Sequence, residues 1–167
     1  FLGSPGHGLW RREDQGAPWK RVESFPAIAT SAAASAQGWN NRTQQIGIVF
    51  VTFEPASGKP GAPTPKLYAG VSTQETSLYQ SDDGGRSWRA VPDQPTGLRP
   101  NHMARGSDDT YYLSYADLPG PDKMSNGAVW KYVPATGAWT GITPAPQSTH
   151  TEKDGFGWGA VTVDPQH

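Results

Sequence analysis

Along this chain, short runs of β-branched and aromatic residues alternate with polar ones and are cut repeatedly by Gly, Pro, Asn or Asp. Period-two alternation over about four to eight residues, bounded by turn formers, predicts strands. Strands are therefore expected at 8–11, 19–22, 46–53, 66–71, 77–81, 88–91, 110–115, 128–132, 139–142 and 160–163, and Phe1-Leu2-Gly3 reads as the tail of another. No segment calls for a helix. The one helix-friendly patch, Ala27 to Gln37, is rich in Ala but lacks an amphipathic repeat, so it reads as part of a long loop.

The pattern also repeats. Arg12-Glu13-Asp14-Gln15-Gly16-Ala17-Pro18-Trp19 aligns with Ser81-Asp82-Asp83-Gly84-Gly85-Arg86-Ser87-Trp88, with Asp, Gly and Trp in one register, and each copy follows an aromatic-bearing strand. A looser third version runs from Val129-Trp130-Lys131-Tyr132 to Pro134-Ala135-Thr136-Gly137-Ala138-Trp139, without the Asp. A short motif returning at blade-sized intervals marks a propeller or solenoid. Ser81-x-Asp83-x-Gly85-x-x-Trp88 matches in full the Asp-box, a β-hairpin turn of sialidase-like and sortilin-like propellers. Its chemistry is local: carboxylate and hydroxyl bond the turn backbone, Gly supplies a positive φ, and Trp closes over the hairpin. Asp14, Gly16, Trp19, Ser81, Asp83, Gly85 and Trp88 are thus read as structural, and the first copy, with Arg12 in place of Ser, should be less well tied.

Trp19 and Trp88 stand 69 residues apart, more than the roughly 40 to 50 of regular propeller repeats. An insertion is therefore expected inside one blade, at 27–45, with a second excursion at 56–65, and such loops are where ligands are usually met.

Composition sharpens this picture. Gly and Pro number 20 and 16 while charged residues reach only 17%, a mixture suited to many short strands joined by tight turns. Seven Trp argue against disorder. The formal charge of −1 and the lack of a Lys/Arg run remove the footprint a nucleic acid requires. The absence of Cys excludes disulfides and thiol chemistry, and the four His and scattered acids have no metal-ligand spacing, so neither metal nor cofactor is expected. No apolar stretch approaches a membrane span. The first residues do not read as a signal peptide, and both ends look severed.

Several ordered stretches together resemble glycoside hydrolase family 74, the xyloglucanases. Phe1-Leu2-Gly3-Ser4-Pro5-Gly6-His7-Gly8-Leu9-Trp10-Arg11, then Trp19 to Pro26, is similar to that family's "LGTRGHGLWRS…TWSKVTSFP" run. Ile48 to Pro55, Leu67 to Val71, Val91 to Gly97, Tyr112 to Asp117, Gly127 to Tyr132, Trp139 to Pro144 and Val161 to His167 continue it in order. The resemblance covers essentially the whole chain and implies an all-β fragment of a seven-bladed β-propeller with Asp-box hairpins, 1–167 forming several blades of one domain. It further implies a secreted enzyme of two facing propellers that cleaves the β-1,4-glucan backbone of xyloglucan with inversion. Inversion needs a carboxylic acid and a carboxylate on opposite sides of the bond. In the family these lie in motifs like "TDIGG" and "GDIGG"; neither occurs here, so no catalytic residue is expected in this chain.

A cleft for a neutral branched glycan needs aromatic platforms and polar groups. Trp39 in the inserted loop, Phe156 and Trp158 among glycines, His102 behind Pro100 where the resembled family has a His-containing loop, and Tyr115 and Asp117 before the Gly120-Pro121 turn are the candidate substrate-binding residues. Each has a bland alternative: loop anchor for Trp39, blade core for Phe156 and Trp158, backbone satisfaction for His102, turn formation for Asp117. At this level a non-catalytic carbohydrate- or protein-binding Asp-box propeller remains open beside the hydrolase.

Overall fold

A computed structural model describes residues 1–4, 7–26, 47–118, 124–144 and 158–164. Its described residues are almost entirely strands and turns, with a 3₁₀ turn at Pro55–Ser57. The chain divides into two compact units, one formed by Phe1–Ser72 with Leu78–Val91, the other by Thr73–Ser77 with Pro92–His167.

The first unit holds two antiparallel sheets. One comprises β1 (Leu2–Ser4), β2 (Gly8–Arg11) and β3 (Lys20–Arg21); the other comprises β4 (Ile48–Phe53), β5 (Leu67–Val71), β6 (Leu78–Ser81) and β7 (Arg89–Ala90), in sequence order. The second unit holds β8 (Arg99–Arg105), β9 (Tyr111–Ala116), β10 (Gly127–Val133) and β11 (Ala138–Gly141), again a four-stranded meander. Such up-and-down four-stranded sheets are the form of propeller blades.

The two meanders share a fine register. In each, the first strand carries a bulge near its start: Val49 between the pairs Ile48↔Val71 and Phe50↔Gly70, and Asn101 between Pro100↔Tyr115 and His102↔Ser114. The last hairpins also agree across all three sheets. One bond extends each ladder, Val22 N–H to Leu9 O, Val91 N–H to Leu78 O and Ile142 N–H to Val129 O, the partners always thirteen residues apart. Each hairpin carries its Trp three residues before the closing donor, at Trp19, Trp88 and Trp139. The third, acid-free repeat is therefore in register with the other two.

The core of the first unit gathers Leu9, Val22, Phe25, Ala69, Val71 and Tyr79, with Phe1, Ile48, Val51 and Trp88 packed against it. Trp88 meets the rings of Phe1 and Phe25 edge-on, at 6.3 and 5.2 Å between centroids. Trp19 differs, being exposed with the Arg12 guanidinium 5.1 Å over its ring. The second unit buries Tyr111, Leu113, Tyr115 and Tyr132, and Tyr132 stacks on Trp139 at 4.5 Å.

Two expectations require correction. Pro100-Asn101-His102 is not a loop but part of β8; an edge strand tolerates a proline, and the bulge absorbs Asn101. The strand expected at 160–163 forms no ladder with the described strands. The loop expected at 27–45 lies outside the described residues.

Candidate functional site

The acidic turn between β6 and β7 is a closed hydrogen-bond system. The Ser81 hydroxyl accepts the Gly85 N–H at 2.8 Å and donates to Asp83 Oδ1 at 2.9 Å. That carboxylate accepts the N–H groups of Arg86 and Ser87, each at 2.9 Å, and its Oδ2 accepts the Ser87 hydroxyl at 2.6 Å. Ser87, then Ser81 and Arg86, outweigh a small burial cost and hold the Asp83 carboxyl far below the ordinary range. Gly85 is required twice over: its φ is +82°, and a Cβ there would lie 2.3 Å from Phe1 Cζ.

The turn at Arg12–Trp19 shows what two substitutions do. Arg12 replaces the serine, leaving the Gly16 N–H without a hydroxyl, and Pro18 stands where Ser87 offers an N–H and a hydroxyl. The Asp14 carboxylate consequently steps back one residue, accepting Gly16 and Ala17 N–H at 2.8 Å each. In the third hairpin Pro134 occupies the aspartate's place, and Thr136 and Gly137 N–H close on the Val133 carbonyl. These acids are occupied in turns and offer no chemistry to a substrate.

A different cluster forms where β8 begins, β9 ends and β10 begins. Asp117 follows β9, and its carboxylate accepts the Ser125 N–H at 3.1 Å and hydroxyl at 2.6 Å, tying Ser125, just ahead of β10, to the end of β9. Partial burial raises the Asp117 pKa, but the Ser125 and Asn126 donors outweigh it, so the group sits below the ordinary carboxylate range. The bulge residue Asn101 donates its side-chain amide to the Trp158 carbonyl at 3.2 Å. Trp158 lies against Gly127, where a Cβ would meet the Tyr115 carbonyl at 2.7 Å and the Trp158 nitrogen at 2.8 Å. Thus the geometry brings Asp117 and half-buried Trp158 to the same sheet end, with exposed His102 on the adjoining strand.

Tyr115 is in the same stretch but wholly enclosed, burial pushing its phenol pKa up. It is a core residue, because β9 is an inner strand of its sheet. Trp39 and Phe156 lie outside the described residues. Sequence reasoning overlooked Arg99, buried at the first position of β8, with the Asp117 charge partly offsetting its desolvation; no local signal marks an arginine in front of a strand-breaking Pro-Asn pair.

Acid catalysis near neutral pH requires a carboxyl whose pKa is raised. Asp82, Asp83, Asp108 and Asp117 are instead all shifted downward. Among the described residues no group of three or more His, Asp or Glu could hold a metal ion, and no helix is long and apolar enough to cross a membrane.

No family model matches the chain. A xyloglucanase of Paenibacillus is 40% identical over 166 residues, covering 99% of this chain and 16% of that protein. A xyloglucanase of Acetivibrio thermocellus is 40% identical over 169 residues, covering 100% of this chain and 20% of that protein. The crystal structure of the family 74 xyloglucanase from Xanthomonas campestris superposes with a TM-score of 0.81 at 54% identity, covering 99% of this chain and 23% of that one. The chain thus spans about a fifth of the length of the relatives it matches. Sequence and backbone together identify it as a stretch of a glycoside hydrolase family 74 protein.

Proposed function

We propose that the protein containing this chain is a secreted xyloglucan-degrading glycoside hydrolase that cleaves the β-1,4-glucan backbone with inversion. The observation that carries this reading is the 54% identity to the Xanthomonas campestris xyloglucanase over 99% of the chain, at a TM-score of 0.81. In this reading the chain forms blades of a seven-bladed propeller that faces a second one, its acidic turns are Asp-boxes, and both catalytic aspartates lie elsewhere in the protein. The downward-shifted carboxylates support that division. The chain's own contribution is scaffold and cleft wall, with Trp158, His102 and Asp117, together with Trp39 and Phe156, as the substrate-contacting set. Tyr115, being enclosed, is left out of it.

The test is to incubate the full-length protein with tamarind-type xyloglucan and with undecorated β-1,4-glucan, following reducing ends and the anomer first released. Preferential cleavage of the branched polymer with α-configured product is expected. Failure to release reducing ends from xyloglucan would overturn the proposal.

A further inference from the structure

The β2–β3 hairpin and the turn after β6 line an open cavity of about 400 Å³ in the first unit. Four cations border it, Arg11, Lys20, Arg21 and Arg86, against two acids, Glu13 and Glu23. Each acid is matched by an arginine, Glu13 by Arg11 at 3.3 Å and Glu23 by Arg21 at 3.9 Å. Lys20 and Arg86 carry the surplus; the Arg86 guanidinium donates to the Asp83 carbonyl, an uncharged acceptor. The excess is not confined to the cavity. By sequence, the first unit has nine Lys and Arg against six Asp and Glu, whereas the second has five against nine. A near-neutral chain thus separates its charge, which creates a positive field over one unit.

The rest of the lining defines the ligand further. Ala17, Pro18 and Val22 give the cavity an apolar wall, and its volume falls within the range of about 300–1,000 Å³ in which small-ligand sites are found. Two surplus cations are too few for a polyphosphate, whose affinity comes from neutralising many phosphates. They fit a carboxylate on a ring with an apolar C–H face. We infer that this cavity binds uronic acid units of an acidic polysaccharide. The inference rests on the first unit's charge and shape and does not depend on which glycan the protein hydrolyses.

Calorimetric titration of the full-length protein at low ionic strength, with tetragalacturonate, its methyl ester and inorganic phosphate, tests this. Tetragalacturonate should bind at least about tenfold more tightly than the ester, which keeps the rings but loses the charge, and should weaken markedly as salt shortens the screening length. Lys20→Gln should weaken binding roughly three- to tenfold, as expected for one exposed charge-assisted contact. Arg86→Gln should do the same, while Lys59→Gln, outside the cavity, should leave binding unchanged. Equal binding of acid and ester, phosphate binding as tightly as the oligomer, or an unaltered Lys20→Gln variant would each overturn the inference. Xyloglucan hydrolysis assayed on the same variants should not change, which separates this site from the proposed activity.

Discussion

Asp83 is the side chain whose chemistry is most fully accounted for, since five donors converge on or beside its carboxylate and hydroxyl partner. Charge-assisted bonds of this kind contribute about 1.5–3 kcal/mol each when buried, and less here because the turn faces solvent. Asp83→Ala should therefore raise amide exchange at Arg86 and Ser87 about tenfold, corresponding to roughly 1–2 kcal/mol, while Asp14→Ala, which removes two exposed bonds, should have a smaller effect. The pH dependence has a definite sign. The folded pKa of Asp83 lies below its unfolded value, so its contribution is complete above pH about 4 and is lost as pH falls toward the folded value. Protection at Ser87 should be flat from pH 7 to 5 after correction for intrinsic exchange and decline only in stronger acid. A decline centred near pH 6 would contradict this account.

At the level of strands and turns, what could be read from the sequence follows a simple rule. The hairpins were legible because Trp19, Trp88 and Trp139 each follow a glycine turn closely, and a tryptophan beside a glycine turn leaves few alternatives. β8 was not, because Pro100 and Asn101 break alternation just where a bulge lets an edge strand accept them. The same bulge hid Arg99 and sent His102 to a strand. Tyr115 was assigned to a surface because alternation gives two faces but not which neighbours cover them. Asp117 and Trp158 are brought together by Asn101 and Gly127, contacts between segments far apart in sequence. Gly127→Ala should consequently act beyond its own strand: the new methyl would meet backbone at 2.7 and 2.8 Å, displacing the Trp158 segment at a cost of about 1–3 kcal/mol. If Trp158 is a sugar platform, the full-length variant should show a raised KM for xyloglucan with kcat nearly preserved; an unchanged KM would remove Trp158 from the cleft.

For the molecule as a whole, edges matter more than cores. Leu2 on β1 is 53% exposed, and Val49 and Phe53 on the edge strand β4 are 40% and 45% exposed. Exposed apolar edges of unclosed sheets recruit further strands. Expressed alone, the 167-residue chain should self-associate as its concentration rises and should bind a hydrophobic dye, whereas the full-length protein should do neither. A monomeric fragment with a sharp thermal transition would show that these edges are adequately protected. The three hairpins carry a further lesson for anyone tallying sheets from sequence. The first copy lacks the serine and the third lacks both serine and aspartate, yet the tryptophan and the closing bond stay at the same interval in all three. The acidic signature is thus an optional lock on a geometry that survives without it, and a census of acidic turns will undercount the sheets in any protein of this construction.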